Sequence, residues 1–407
     1  MFIVKTIEET KRLLQKHCKD YPLKTETIPV DEALNRVSAQ TAYSTIDIPH
    51  FERSTVDGYA VMHEAVAFAS AQSPVPLKFL GSVDMGKSTP YELDENSTVY
   101  VPTGGQLPKN TTAVVMIENT DTLDSEVLIN KKVSKWENIL LKRSDIAKDQ
   151  PVIETNQVLT PPRIGALKAA GIKKVCVYKK LTALVLSTGD EITDSLPLKM
   201  GEILDINTHT VKHYLTEKHI DVVDTVVIKD DFDTFKTHIT EGMHKYDLVI
   251  ASGGSSVGEH DYTYHVMKAI GADIFVHGVN IKPGKPTVLA KYNQKLFVGL
   301  PGQPTSAYMV LQTFFPIIYH AIHQIQEPII TPYVEGVLTQ NIASVGGRTT
   351  YRLVSLSQDT PYKVTPYHGK SGTISSLKDA YGYVILNAGE EGYQKGETVR
   401  VYKLGDL

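Results

Sequence analysis

Cysteine is nearly absent: Cys18 and Cys176 are the two in 407 residues, which excludes a disulfide framework or a metal site built on a recognisable thiolate pair. A reducing compartment suits such a chain. Net positive charge is missing as well. The formal charge is −4 with a pI near 6.4, so the surface lacks the field that phosphate-backbone binding needs, and nucleic acid is not an expected partner. Long apolar runs are lacking too, since no segment reaches ~18 uninterrupted apolar residues. The amino terminus, MFIVKTIEETKRLL, is interrupted by charge before a signal-peptide core could form. The best candidate for a span, 304–325, carries Gln312, Thr313, Pro316 and His320, which lipid penalises and a buried helix tolerates. The expectation is a cytoplasmic protein without membrane contact. No low-complexity tract and no fixed-period repeat is visible.

What is present is the composition of a soluble protein too long for a single core, so two to four domains are expected. Thr6 and Glu9 form a capping box ahead of a helix through His17, and Asp31 reads as the cap of a short helix ending near Val37. From Ile48 to about Leu141 the pattern turns to short β-rich runs broken by Gly, Pro and Asn. Helical spacing returns over Leu159–Gly171, where Gly165 and Gly171 point to packing of this segment on the first one around an insertion. From Leu181 onward apolar strands (LTALVLS, DVVDTVVI, DLVIAS) alternate with helices near Thr208–Lys218, Phe232–His244 and Tyr262–Ile270. That alternation indicates βαβ units on a largely parallel sheet, with ligands at the carboxyl ends of its strands. After Gln326 the sequence is strand-like to its end. The chain is therefore read as multidomain α/β and β: an elongated discontinuous domain over 1–50 plus 142–180, an inserted β domain over 51–141, a doubly wound α/β domain over 181–327 and a C-terminal β domain over 328–407.

Several segments could carry chemistry. Behind the strand DLVIA stands SGGSSVG, 252–258, with Ser252, Gly253, Gly254 and Ser255 followed by Glu259, Asp261 and Tyr262. Adjacent glycines let backbone N–H groups and hydroxyls wrap a phosphate at a helix N-terminus, and they equally suit a tight strand-to-helix turn. TGDEI places Asp190 and Glu191 at the carboxyl edge of the same sheet, where a solvated loop is the plain reading. Asp205 and Asn207, in DINTHTV, read as helix capping. Glu191, Asp205, Asp230 and Asp261 all fall at the ends of predicted strands, and convergence there would make an oxygen-ligand cluster suited to Mg2+. IKPGKP (281–286) and GLPGQP (299–304) are Pro-Gly turns. Their Lys282 and Lys285 can offer cations to an oxyanion or can simply be solvated, and Gln303 reads as a turn residue. Asp57, in the Asp-Gly pair of DIPHFERSTVDGYAV, and Thr103, in VPTGG, read on physics alone as turn and loop residues.

The order and spacing of DIPHFERSTVDGYAV, VPTGGQLP, AVVMIENT, SDI, STGDEI, DINTHTV, SGGSSVGEHDYT, IKPGKP and GLPGQPTSA resemble the molybdopterin molybdenumtransferase (MoeA-type) family, which includes the gephyrin E domain, from about residue 5 to residue 400. The resemblance implies an elongated homodimer whose α/β domain is MogA-like and binds molybdopterin. It implies adenylylated molybdopterin and molybdate as substrates, molybdenum cofactor and AMP as products, and Mg2+ as a requirement. An adenylyltransferase that docks to hand over the intermediate is a further implied partner.

Carried over position by position, the family's functional residues fall on Asp57, Thr103, Asp145, Glu191, Asp230, Asp261, Lys282, Pro301, Pro304, Arg352 and Ser371, with Glu191 and Asp261 toward the metal. In this family the site lies between the α/β domain of one subunit and the inserted domain of the other. The chain departs from the pattern at Gly278, where a basic residue is common, at Arg143-Ser144 in place of Gly-Glu before Asp145, at Gln303 in place of Asn and at Ser255 in place of Val. Every family carboxylate is kept, which implies an active enzyme, with room for an altered oxyanion preference such as tungstate or for a weakened paralogue. Two other readings compete. A molybdopterin adenylyltransferase would account for the α/β segment but not for the β domains, and a gephyrin-like scaffold would act through its dimer alone.

Overall fold

The computed structural model describes residues 4–253, 262–369 and 372–405. It opens with α1 (Ile7–Cys18), and the capping box is formed: the Glu9 N–H donates to Thr6 Oγ1 at 3.1 Å while the Thr6 N–H donates to Glu9 Oε2 at 2.8 Å. Its buried side is the stripe Thr10, Leu14 and Cys18, spaced by one helical turn. The short helix expected at Asp31 is instead a single 3-10 turn, Val30–Glu32, and Asp31 does not cap it. Pairing of the flanking strand Thr25–Pro29 with Lys174–Tyr178 leaves no room for a longer helix, and Asn35 turns the chain away with φ +59°. The Asp31 carboxylate accepts from Lys168 Nζ at 2.7 Å instead. Ala42–Tyr43 pairs with Pro151–Ile153, and α2 (Pro161–Ala169) closes the small core made by Val30, Ile153, Leu159, Leu167 and Val177. The packing foreseen from two glycines is seen at one: a Cβ on Gly171 would stand 2.4 Å from Thr45 Oγ1, whereas Gly165 faces open space.

Within the insertion six strands form one sheet in the order 113–116, 58–61, 97–101, 75–82, 126–129, 120–123. Both of its faces are covered, one by the core around Tyr59, Val115 and Ile129 and the other by that around Ala60, Val99 and Val114.

The α/β unit carries a six-stranded sheet ordered 221–228, 182–188, 248–252, 295–300, 288–292, 273–277. The first four strands are parallel, while Val288–Tyr292 runs antiparallel to both neighbours, so the sheet is mixed at one edge. α3 (Asn207–Glu217) lies on one face, α4 (Phe232–Lys245) and α5 (Tyr262–Ala269) on the other, and α6 (Pro304–His323) returns to the first. Such two-sided cover is why the central strands read as unbroken apolar runs. α1 belongs to this packing: Leu14 and Cys18 sit in one core with Val211, Phe314 and Phe315. No described helix is long and apolar enough to cross a membrane.

Beyond residue 332 five strands close on themselves. Thr349–Leu356 pairs with both Lys363–Pro366 and Gly382–Leu386, and Tyr333–Leu338 with Thr398–Lys403 completes the ring around Val354, Val364 and Val401. The short helix α7 (Ile374–Asp379) lies beside it. One strand crosses between units. Ile281–Lys282, from the α/β unit, pairs in parallel with Thr349–Thr350 of the barrel.

At the opposite end of the sheet from the strand tips, Asp247 accepts from the Tyr21 hydroxyl at 2.6 Å, from the Thr182 N–H and hydroxyl at 2.8 Å each, and from Lys295 Nζ at 2.9 Å. Burial pushes the Asp247 carboxyl up, but the bonds from Thr182, Tyr21 and Lys295 outweigh it and hold the carboxyl below the usual carboxylate range. Its stabilisation is therefore complete above that range and is lost as pH falls through the lowered value. Asp247→Ala leaves a tyrosine hydroxyl and an ammonium without their partner, and is expected to lower stability at neutral pH by about 2–3 kcal/mol in urea unfolding. The difference from the parent should shrink in acid.

Candidate active site

The carboxyl ends of the parallel strands open into a cleft of about 1470 Å³ whose far wall is the barrel. On the sheet side stand Glu191, Asp205 and Asp230, each in a segment that follows a strand. Asp205 is buried and accepts from the Thr208 N–H at 3.1 Å and from Ser187 Oγ at 3.3 Å. Asp230 accepts from the Thr188 hydroxyl, and its N–H donates to Asp190 at 3.2 Å. Glu191 folds back over the turn, where its Oε2 lies 2.8 Å from the place a Cβ on residue 189 would take.

The opposite wall is cationic. Lys282 and Lys285 come from the 281–286 turns and Arg348 and Arg352 from the barrel strand region, and all four line the cleft. The pairing of Lys282 with Thr350 sets the lysine two residues from Arg352 along the neighbouring strand. Side chains two apart on a strand share a face. Arg352 Nε is buried with no hydrogen-bond partner among the described residues. Its unmet donor and the surrounding positive charge suit an anion.

The floor is made by Ser252 and Gly253, with Pro301 and Pro304 beside them. Gly253 has φ +93°, and a Cβ there would lie 2.4 Å from the Thr188 carbonyl oxygen, so this turn admits glycine alone. Gly254, Ser255, Asp261 and Ser371 lie outside the described residues. Asn207 departs from the capping role read for it. Asp205 caps the first turn of α3, whereas Asn207 reaches across the floor, donating through Nδ2 to Ser252 Oγ at 2.6 Å and to the Gly302 carbonyl at 2.7 Å. Thr305 and Arg348 also line the cleft, and neither stood out in the sequence.

Three of the candidate residues are elsewhere. Asp57 and Thr103 are joined within the inserted sheet region, the Thr103 N–H donating to Asp57 Oδ1 at 2.7 Å and its hydroxyl at 3.2 Å. Asp145 lies on an exposed loop tied by its N–H to the Ile48 carbonyl at 3.1 Å. None of these lines the cleft of the same chain. Among the described residues the one grouping of three or more metal-capable side chains is Asp194, Asp205 and His209, with ligand atoms within 4.8 Å of one another; it shares only Asp205 with the candidate set, and two of its members are exposed.

Comparison with known proteins decides the family. The sequence profile of the MoeA N-terminal region (domain I and II) matches residues 5–171, a "probable molybdopterin binding domain" matches 184–320, and the MoeA C-terminal region (domain IV) matches 335–404. This chain belongs to the MoeA family. A molybdopterin molybdenumtransferase of Haemophilus influenzae is 31% identical over 399 residues, covering 95% of this chain and 96% of that one. Its namesake in Staphylococcus aureus is 28% identical over 379 residues, covering 92% and 90%. The crystal structure of a MoeA protein of Pyrococcus horikoshii superposes with TM-score 0.77 at 31% identity over 99% of this chain and all of that one.

Two departures from the MoeA pattern have backbone consequences. Arg143, where glycine is usual, holds φ +69°, a left-handed conformation that costs about 1 kcal/mol for a residue with a Cβ; its Nε meets Asp47 at 3.1 Å. Gly278, where a basic residue is common, has φ +97°, and its neighbour His277 stacks on Tyr264 with ring centroids 4.2 Å apart. The cationic wall of the cleft is that of Lys282, Lys285, Arg348 and Arg352. Lys282→Met or Arg352→Met, each keeping most of the side chain's bulk, should weaken binding of a tetrahedral oxyanion such as molybdate by about tenfold in calorimetric titration. Unchanged affinity in both variants would remove the anion assignment of this wall.

Proposed function

We propose that this enzyme inserts molybdenum from molybdate into the dithiolene of adenylylated molybdopterin, releasing AMP and forming molybdenum cofactor. The observation that carries the reading is the division of one cleft into a carboxylate wall (Glu191, Asp205, Asp230) and a cationic wall (Lys282, Arg348, Arg352) around a Ser-Gly floor. A substrate with a phosphate-bearing pterin and a tetrahedral oxyanion needs both. Family membership and the curated transferase relatives support the same chemistry.

In this proposal the dithiolene sulfurs are the nucleophiles. Two Mo–S bonds form as two Mo–O bonds break, the departing oxygens leaving as water after protonation, and hydrolysis of the phosphoanhydride sends AMP away. The protein positions these groups and matches their charge. Lys282 and Arg352, with Ser371 by resemblance, hold the anionic groups. The carboxylates of Glu191 and Asp230 are all-oxygen donors without a thiolate or imidazole between them, which fits a hard cation such as Mg2+ shared with substrate phosphates, and by resemblance Asp261 joins them. Bound there, Mg2+ would neutralise phosphate charge.

Asp57, Thr103 and Asp145 enter the proposal through a second copy of the chain. They stand apart from the cleft of their own chain, so a homodimer that presents one copy's inserted domain to the other's cleft is the arrangement under which all the family positions act together. An adenylyltransferase delivering the adenylylated substrate is the partner the reaction requires upstream. A cytoplasmic location is part of the same reading, and the two free cysteines fit it.

Incubation with adenylylated molybdopterin, Mg2+ and molybdate should release AMP and yield cofactor. EDTA should stop AMP release and added Mg2+ should restore it. Asp57→Ala and Glu191→Ala should each lower the rate by about two orders of magnitude or more with folding intact by circular dichroism. Wild-type rates in both variants would defeat the assignment. Consumption of ATP with molybdopterin instead would identify an adenylyltransferase, and neither activity would favour a scaffold.

A further inference from the structure

Four buried side-chain atoms have no hydrogen-bond partner among the described residues, and three of them, Asn207 Oδ1, Thr305 Oγ1 and Arg352 Nε, belong to residues lining the one cleft. Arg352 falls to the anion already assigned. The other two define a different chemistry. Asn207 is 8% exposed and Thr305 6%, so both are denied the bulk water that would otherwise satisfy them.

The orientation of the Asn207 amide follows from its partners. The Gly302 carbonyl can only accept, so the group facing it at 2.7 Å is the NH2, and Ser252 Oγ, which donates to the Pro301 carbonyl at 3.4 Å, accepts the second N–H at 2.6 Å. Oδ1 is thereby left as a lone acceptor on a residue that lines the cleft. An acceptor repels a phosphate or molybdate oxygen and calls for a ligand N–H.

Thr305 lies in the first turn of α6, a helix of 20 residues whose opening residues Pro304, Thr305 and Ser306 line the same cleft. First-turn N–H groups have no partner inside a helix and favour a ligand oxygen or ring nitrogen. The Thr305 hydroxyl adds a donor there. The pair thus presents an acceptor and, from a separate element, a donor set.

We infer that Asn207 and Thr305 form the socket that recognises the amino-oxo pyrimidine edge of the pterin, its N–H groups facing Asn207 Oδ1 and its exocyclic oxo oxygen or a ring nitrogen facing Thr305 and the start of α6. This deepens the proposed function and rests on it for the identity of the heterocycle. Adenine carries a related donor–acceptor edge, so the test separates the two. The socket makes Asn207 and Thr305 specificity residues, held apart from the charged walls that take phosphate and molybdate.

The experiment uses the full chain and titrates pterin (2-amino-4-oxopteridine) by its fluorescence, with AMP in a parallel titration. Thr305→Val is close in shape and deletes a hydroxyl that has no protein partner among the described residues. Its melting temperature should match or exceed that of the parent, because an unmet buried polar group is removed. Its pterin affinity should fall about fivefold, the worth of one ordinary hydrogen bond, while its AMP affinity stays unchanged. Thr305→Ser should restore the affinity, and lumazine, which lacks the 2-amino group, should bind the parent more weakly than pterin. Unchanged pterin affinity in Thr305→Val, or a loss seen with AMP in place of pterin, would overturn the inference. AMP release from adenylylated molybdopterin, measured on the same parent preparation, keeps the two claims apart: turnover with an insensitive Thr305→Val sinks the socket alone, and hydroxyl-sensitive pterin binding without turnover sinks the proposed function alone.

Discussion

Two residues of parallel strand, Ile281 and Lys282, lie against Thr349 and Thr350 and fasten the α/β unit to the barrel. Much depends on this short ladder. The segment before it is itself held, since the Lys5 N–H donates to the Gly278 carbonyl at 2.9 Å and the Asn280 N–H to the Lys5 carbonyl at 2.7 Å, while the Thr349 N–H reaches the Asn280 carbonyl at 3.2 Å. Ile281 is fully buried, so the strand cannot rotate without exposing it. The consequence is that Lys282 is fixed on one wall of the cleft next to Arg352. Cations placed by backbone pairing need no carboxylate to hold them in position.

The carboxylates across the cleft are supported in a matching way. Asp205 takes Thr208 and Ser187, and Asp230 takes Thr188; these donors are neutral. Neutral support leaves the charge of each acid available to a ligand, where a lysine partner would have cancelled it. A cleft with separated walls of opposite sign can take a cation and several anionic groups at once. Between them the floor offers hydrogen bonds without net charge, through Asn207, Ser252 and Thr305. One pocket therefore presents three chemistries, each on a different element of the fold.

How much of this could be read in the sequence follows from where each signal resides. The α/β unit was legible because its strands are buried on both faces and its helices alternate with them; periodicity reports burial directly. The capping box at Thr6 and Glu9 was legible because it is complete within four residues. Asp31 was misread because helix signals in a short segment yield to strand pairing on either side of it. The amphipathic stripe Thr10, Leu14 and Cys18 announced a buried face but not its partner, and the partner proved to be the core containing Phe314 and Phe315, some 300 residues away. Asn207 looked like a cap because Asp205 and Asn207 both suit that role, and only the fold shows that one caps while the other spans the floor. Thr305 and Arg348 carried no local mark at all. The family segments, by contrast, were legible as an ordered set, since motif order records a family even where single motifs read as turns.

The central claim is that the cleft works with Asp57 and Thr103 supplied by another copy of the chain. Mixed dimers of Asp57→Ala and Glu191→Ala test it most directly. Each variant alone has no intact site. If the site is shared, random pairing makes half the dimers mixed and gives each of those one complete site, so the mixture should recover about one quarter of the parental AMP release. If Asp57 served the cleft of its own chain, every site in every pairing would carry one of the two lesions, and a mixture as inactive as the separate variants would contradict the account.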